Sequence, residues 1–225
     1  IPSEATADEA SVDEATPYII NSPETLEETF TNKKSNSKVS HFKKTGKAKL
    51  IEITRDNHTI SWGYSGANIV IAKEMNHETE TLTGNDAYLA LPNLSSTVLY
   101  ENIYNNIDLE VINSPTGVKE NLILKKANTK NVFMIEYNIG ELTAESKDTQ
   151  TIELKDNNGN VLYTISAPYM TDANGERSDA LELKILQNNK GKLSVKLTAD
   201  KNWLKDKTRA YPVSVDPAFS YGQDW

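Results

Sequence analysis

Apolar and polar residues alternate with a period of two through most of the chain from Lys47 onward. In residues 192–198, Leu193, Val195 and Leu197 fall on one side and four polar residues fall on the other. The same alternation recurs at 133–137, 161–165 and 181–185. A period of two is typical of β-strands with one buried face, so antiparallel strands are predicted for the body of the chain.

Turn-forming residues separate these segments. Residues 156–160 and 188–191 are rich in Asn and Gly and predict two consecutive hairpins, and Asp56-Asn57 predicts a third. Asn105-Asn106 lies between two apolar runs, 99–104 and 107–111. Asn and Gly tolerate the positive φ angles of tight hairpin turns, so each of these sites is expected to reverse the chain.

Helical patterns are rare. Residues 200–206 predict one short helix capped by Asp200. Residues 21–30 predict one or two helical turns, because Ser22 can cap them and a proline follows at the first helical position. The sequence therefore predicts an all-β fold, an antiparallel β-sandwich or two packed sandwiches, with very little helix.

The negative charge of the chain is concentrated at its start. The net charge is -8, and residues 1–32 contain eight acidic residues and no Lys or Arg. The rest of the chain has equal numbers of acids and bases, so no nucleic-acid partner is expected. Residues 1–37 are predicted to form a flexible acidic arm and 38–217 the β-sandwich, with a subdivision near residue 127 left open. Residues 218–225 are taken as the start of a linker.

Cysteine is absent, which excludes disulfide frameworks, thiol catalysis and zinc sites built on Cys. Apolar runs such as Asn68–Ala72 are far shorter than the roughly 18 residues of a membrane span, so no membrane insertion is expected. The chain begins at Ile1 rather than Met. We therefore expect that a signal peptide has been removed or that the chain starts inside a longer protein.

The loop at residues 172–179 is rich in oxygen donors and is a calcium candidate. Its hard ligands surround Gly175, which permits a sharp turn. They are Asp172, Asn174, Glu176 and Asp179. The alternative is an exposed connection between strands with Asx-turn chemistry. Apart from this calcium candidate, no cofactor is expected.

Aromatic residues provide a candidate platform for a sugar ligand. They are Trp62, Tyr64, Tyr100, Tyr104 and Tyr169. In a β protein such residues also form core or cross-strand pairs, and both interpretations stay open. The chain shows no nucleophile elbow, no glycine-rich phosphate loop and no histidines at metal-binding spacing, so no catalytic residue is predicted.

A series of motifs between residues 95 and 217 carries a family resemblance. They are Tyr100–Leu109, Val118–Leu124, Val161–Met170, Ala199–Leu204 and Arg209–Pro217. In their order and spacing the chain resembles the N-terminal, pre-repeat region of RHS or YD-repeat wall-associated surface proteins of Gram-positive bacteria. The resemblance implies a secreted protein at the cell surface or cell wall, in a long chain that continues into further β modules.

Together these observations predict a non-enzymatic structural or interaction module of a large secreted, cell-surface or wall-associated bacterial protein. Its expected partners are neighbouring modules of the same chain and a cell-wall or host glycan or protein. The alternative is a carbohydrate-binding or carbohydrate-active β-sandwich module, which needs an aromatic groove with convergent carboxylates.

Overall fold

In a computed structural model the described residues are 19–22, 29–32, 37–45, 49–75, 96–114, 117–127 and 129–221. They form seventeen strands and one short helix, α1 (Lys201–Lys205). The strands are β1 (Ile19–Ser22), β2 (Thr29–Asn32), β3 (Ser37–Phe42), β4 (Ile51–Arg55), β5 (His58–Tyr64), β6 (Lys73–Met75), β7 (Ser96–Tyr104), β8 (Ile107–Ser114), β9 (Gly117–Leu124), β10 (Val132–Asn138), β11 (Thr143–Ser146), β12 (Ile152–Lys155), β13 (Val161–Thr171), β14 (Arg177–Ser178), β15 (Leu181–Asn189), β16 (Lys192–Ala199) and β17 (Val213–Tyr221).

The strands form two antiparallel sheets, which confirms the predicted all-β sandwich. The eight-stranded sheet has the order β1-β2-β3-β4-β5-β10-β16-β15. The nine-stranded sheet has the order β11-β12-β13-β17-β9-β8-β7-β6, and β14 pairs with β13. β10 pairs with β5, and β17 pairs with β9, so each sheet combines strands from both sides of residue 127. Residue 127 is therefore not a boundary between the sheets.

The predicted hairpins are confirmed. Asp56-Asn57 joins β4 to β5, and both residues have positive φ. Asn105-Asn106 joins β7 to β8, with Asn106 at φ 59°. Residues 156–160 join β12 to β13, and 190–191 join β15 to β16. The turn residues thus fix the register of neighbouring strands, as tight hairpins require.

The inner faces of the two sheets share one hydrophobic core. At its centre Trp62 stacks on Phe219 with ring centroids 4.8 Å apart, and Tyr163 lies 5.4 Å from the same phenyl ring. Tyr137 stacks on Trp62 at 5.8 Å and lies 6.5 Å from Phe219, so the three rings form one cluster. Offset contacts of this kind add to the stabilisation that comes from removing the rings from water.

Part of the predicted acidic arm belongs to the sheet. β1 and β2 pair with each other, and β2 pairs with β3, so residues 19–22 and 29–32 are strands. The predicted helical turns at 21–30 are wrong where that range is described. Ile, Thr and Phe in these segments favour extended backbone and outweigh the capping signal. Residues 1–18, 23–28 and 33–36 lie outside the described residues, so the flexibility expected of them stays a prediction.

The last strand extends further than the sequence suggested. β17 runs through Pro217 to Tyr221, whereas residues 218–225 were assigned to a linker. β17 lies between β13 and β9, and its pairing with β13 shifts register between Ser166 and Tyr169, next to Pro217. A proline has no N–H to donate, and a bulge of this kind is where a strand tolerates it. Residues 222–225 lie outside the described residues.

The predicted short helix is confirmed as α1. Asp200 is its N-cap and accepts a hydrogen bond from the backbone N–H of Trp203 at 2.6 Å. Leu204 is buried against the core, and Trp203 is half-buried. Within the described residues no helix has the length and apolarity to cross a membrane.

Alanine substitution at two turn glycines, one beside a neighbouring turn and one in open space, measures the effect of the close approach between turns. Gly191 has φ +75°, and a Cβ there would lie 2.3 Å from the carbonyl oxygen of Gly140. Gly159 has φ +83° and open space around it. G159A is expected to cost about 1 kcal/mol for the left-handed backbone, and G191A about 3 kcal/mol because the backbone clash is added. Urea unfolding measures both, and equal costs would contradict the close approach at Gly191.

Candidate functional site

One end of the sandwich has two adjoining depressions lined by lysines, which we call the lysine end. The first has a volume of about 660 Å³ and is lined by Tyr104, Asn105, Asn106, Lys126, Ala127, Thr129 and Lys130. The second has a volume of about 200 Å³ and is lined by Thr129, Asn131, Lys201, Leu204, Lys205 and Tyr211. Thr129 lines both, so the two depressions adjoin at this residue.

The strand pairings bring these lysines together. The backbone N–H of Lys125 donates to the carbonyl of Asn106 at 3.0 Å, which places the chain after β9 beside the β7–β8 turn. Val132 pairs with Thr198, so the segment before β10 lies beside the end of β16. Asn131 fixes this contact through a hydrogen bond from its side-chain N–H to the carbonyl of Ala199 at 2.9 Å.

Lys130 is held in place by aromatic rings. Its ammonium lies 4.1 Å from the ring centroid of Tyr104 and 6.0 Å from that of Phe133. Partial burial lowers the pKa of Lys130 below its usual value. The rings attract the cation but do not neutralise it, so its charge remains available to an anion.

The second depression has its lysines on one face of α1. Lys201 and Lys205 are four residues apart, so they project from the same side of the helix. Leu204 anchors the helix in the core, and the hydroxyl of Tyr211 donates to the carbonyl of Leu204 at 2.7 Å. The helix is thereby fixed with Lys201 and Lys205 among the residues that line the depression.

Charge at the lysine end is unbalanced. Among the described residues, neither lining set contains Asp or Glu. The adjacent Lys125 is different, because its ammonium pairs with the Asp108 carboxylate at 2.8 Å. The four remaining lysines, Lys126, Lys130, Lys201 and Lys205, give this end a positive potential that suits an anionic ligand.

A second feature lies between the sheets, where Glu120 is buried. Its carboxylate accepts hydrogen bonds from Trp62 Nε1 at 3.0 Å and from the Tyr64 hydroxyl at 2.9 Å. Burial, together with a smaller contribution from the nearby Asp216, raises the pKa of Glu120 from 4.5 to about 7 and outweighs the lowering effect of these two hydrogen bonds. Burial, followed by the charge of Glu120, also raises the pKa of Tyr64. Glu120 thus joins the nine-stranded sheet to β5 of the other sheet through a group that titrates near neutrality.

The predicted aromatic platform is not gathered on one surface. Trp62 and Tyr64 are buried at Glu120, and Tyr100 is buried with its hydroxyl donating to the carbonyl of Phe42 at 2.9 Å. Tyr104 is buried beneath the first depression. Tyr169 is partly exposed, with the Arg177 guanidinium 4.0 Å from its ring centroid.

The predicted calcium ligands have protein partners in the structure. Asp172 Oδ1 accepts the backbone N–H groups of Asn174 and Glu176, each at 2.9 Å. Asp172 Oδ2 accepts from Arg209 Nη1 at 2.9 Å and from the N–H of Ala210. Although burial opposes it, this set of donors lowers the pKa of Asp172. Asn174, Glu176 and Asp179 are exposed. The loop is thus an Asx turn closed by Arg209, and the described residues hold no group of three or more His, Cys, Asp or Glu suited to a metal ion.

Neither Glu120 nor the lysine end was predicted from the sequence. Glu120 lies on the same buried face of β9 as Val118 and Leu122. A charged residue at an alternating apolar position is visible in the sequence and could have indicated a buried carboxyl group. The lysines come from two segments far apart in the chain, 126–130 and 201–205, and only the pairing of β10 with β16 brings them together.

Comparison with known proteins finds relatives for part of the chain. No protein-family model and no solved structure matches it. The tRNA nuclease WapA of Bacillus subtilis (strain 168) is 35% identical over 147 residues, which cover 62% of this chain and 6% of that protein. The tRNA3(Ser)-specific nuclease WapA of Bacillus spizizenii is 34% identical over the same length, with the same coverage. The tRNA(Glu)-specific nuclease WapA of Bacillus subtilis subsp. natto is 34% identical over 160 residues, 68% of this chain and 7% of that protein.

These relatives correct several expectations. They are named as tRNA nucleases, so the assignment to RHS or YD-repeat surface proteins is overturned, and with it the expectation of a non-enzymatic or carbohydrate-related module. The expected lack of a nucleic-acid partner is overturned as well, because the names specify tRNA. Two inferences account for the errors. The lack of catalytic motifs was taken to mean that the protein is not an enzyme, although the chain spans only about 6 to 7% of the relatives' length. The lack of a nucleic-acid partner was inferred from the overall charge, which does not reveal a local cluster of lysines.

Glu120 predicts a specific dependence of stability on pH. Its pKa is higher in the folded state, so its contribution is fully present below about pH 4.5 and is lost as the pH rises to about 7. E120Q stays neutral, so its free energy of unfolding relative to the unsubstituted chain should rise by about 3 kcal/mol across that range. Urea unfolding at several pH values measures this difference.

When the free energy of unfolding of the unsubstituted chain is subtracted from that of E120Q, the contributions of the other titrating groups cancel. His41, buried against Asn113, has a pKa lowered to about 4, so its contribution falls as the pH is lowered from 6.5 to about 4, opposite in sign to that of Glu120. E182Q, at an exposed glutamate of β15, is the matched control and should change stability by less than about 0.5 kcal/mol throughout. A pH-independent effect of E120Q would contradict the raised pKa.

The Asx turn predicts the response of residues 172–179 to calcium. Both oxygens of Asp172 already accept hydrogen bonds, so millimolar Ca²⁺ is expected to leave the Tm unchanged relative to a sample with EDTA. D172N, which retains the side-chain shape but not the charge opposite Arg209, should lower the Tm in both samples. A calcium-dependent rise in Tm that D172N abolishes would instead support the metal site.

Proposed function

We propose that the protein to which this chain belongs is a nuclease that acts on tRNA, and that this chain is one β-sandwich domain of that enzyme. The observation that carries the proposal is the similarity to three tRNA nucleases at 34 to 35% identity over 147 to 160 residues. The relatives are much longer than the matched region, so the proposed activity is that of the whole protein.

The geometry of the sandwich supports a protein that handles RNA. Four lysines without a carboxylate partner among the described residues line adjoining depressions at one end. RNA carries one negative charge per nucleotide, and lysine clusters on rigid elements are the usual means of attracting such a backbone. The lysine end is therefore a surface to which an RNA substrate can bind.

The location of the protein stays a prediction from the sequence. We propose that it is secreted and lies at the cell surface or in the cell wall. Immunodetection of the protein in culture medium, wall and cytoplasmic fractions tests this proposal, and detection only in the cytoplasmic fraction would contradict it.

Nuclease activity is tested with the full-length protein that contains this chain. Incubation with total tRNA is expected to yield discrete fragments on a denaturing gel, whereas ribosomal 5S RNA and duplex DNA of similar length remain intact. The heat-denatured protein is the control for contaminating nucleases. Intact tRNA after incubation with full-length protein of verified fold would overturn the proposal.

A further inference from the structure

We propose that the lysine end binds the phosphate backbone of RNA through Lys126, Lys130, Lys201 and Lys205. This inference rests on the proposed function for the choice of RNA as the ligand, but its site and chemistry come from the structure. The two depressions adjoin at Thr129, so their lysines are close enough together to contact successive phosphates of one strand.

Three of the four cations of this surface are positioned by the fold. Lys130 lies over the rings of Tyr104 and Phe133, and Lys201 and Lys205 project from a helix anchored by the buried Leu204. Lys126 is exposed at the rim. Positioned cations lose less conformational freedom on binding than free surface lysines, which favours affinity.

The polar groups of the first depression favour phosphate over base recognition. The side-chain Nδ2 of Asn106 donates to Asn105 Oδ1 at 2.8 Å, which engages one donor and one acceptor that could otherwise read a base edge. One face of Tyr104 is covered by the Lys130 ammonium, so it is not open for a base to stack. The remaining cations are lysines, which contact phosphates as point charges and carry no sequence information.

The charge of the whole chain does not favour RNA binding outside the lysine end. The net charge of -8 is carried by residues 1–32 and the rest of the chain is formally neutral, so no long-range attraction draws RNA to the surface as a whole. Binding must therefore depend on the local cluster. Lysines elsewhere, such as the exposed Lys184 and Lys192 of β15 and β16, should contribute little.

Fluorescence anisotropy with labelled tRNA and the 225-residue chain tests the site. Four phosphate contacts predict a slope of log K against log salt of about -3. K126A/K130A and K201A/K205A should each reduce the size of that slope by about 1.5 and weaken binding by about tenfold at low salt. The charge-matched control K184A/K192A should bind as the unsubstituted chain does.

Further variants separate charge from folding. K126R/K130R keeps the charges and should restore most of the affinity, while thermal unfolding verifies that each variant is folded. Two unrelated tRNA transcripts should compete within about twofold, because phosphate contacts do not discriminate between sequences. A strong preference for one transcript would show base recognition and overturn the phosphate assignment.

Three other outcomes also overturn the inference. They are unchanged binding in both alanine variants, an equal loss in K184A/K192A, and competition by polyglutamate as effective as that by tRNA at equal charge. The last result would assign the surface to acidic polypeptides. Cleavage of tRNA by the full-length protein separates the two proposals. Cleavage without RNA binding at the lysine end overturns this inference and supports the nuclease proposal. RNA binding at the lysine end without cleavage supports this inference and overturns the nuclease proposal.

Discussion

Stacking of Trp62 on Phe219 joins the two sheets at the centre of the molecule, and the other features depend on it. The contact fixes β5 against β17, and so brings Trp62 Nε1 and the Tyr64 hydroxyl within reach of Glu120 on β9. A carboxyl group in such surroundings is costly in its charged form, because little water reaches it. The aromatic core therefore determines both the packing of the sheets and the protonation of the group buried between them.

Strands and hairpins were readable from the sequence because their signals are local. The alternation at 192–198 and the positive-φ residues at Asp56-Asn57 and Asn106 depend on neighbours in the chain. The passage of β17 through Pro217 was not readable, because it depends on a bulge in the partner strand β13. The strands at 19–22 and 29–32 were missed for a different reason, because the acidic composition of residues 1–32 is typical of a solvated arm and conceals the β-favouring residues within it.

The candidate site was less accessible to sequence reasoning than the fold. An equal number of acids and bases beyond residue 32 says nothing about their distribution in space. Lys125 and Lys130 both lie in the connection between β9 and β10, yet the first pairs with Asp108 and the second lies over aromatic rings. The difference arises from the register of the β7–β8 hairpin with β9, which is a tertiary property. Potentials that attract polyanions are local, so the position of a lysine matters more than the sum of charges.

The place of β17 in the nine-stranded sheet has a consequence for how the chain acquires its structure. β17 is the last strand of the described chain, yet it is an interior strand that pairs with β13 on one side and β9 on the other. Until it is in place, β6 to β9 and β11 to β13 are two separate sheets with unpaired edges. Pairing between strands so far apart in sequence makes folding slow, and completion of the nine-stranded sheet depends on β17. During synthesis, the nine-stranded sheet therefore cannot be completed until residues 213–221 have emerged from the ribosome, and the strands on either side of β17 keep unpaired edges up to that moment.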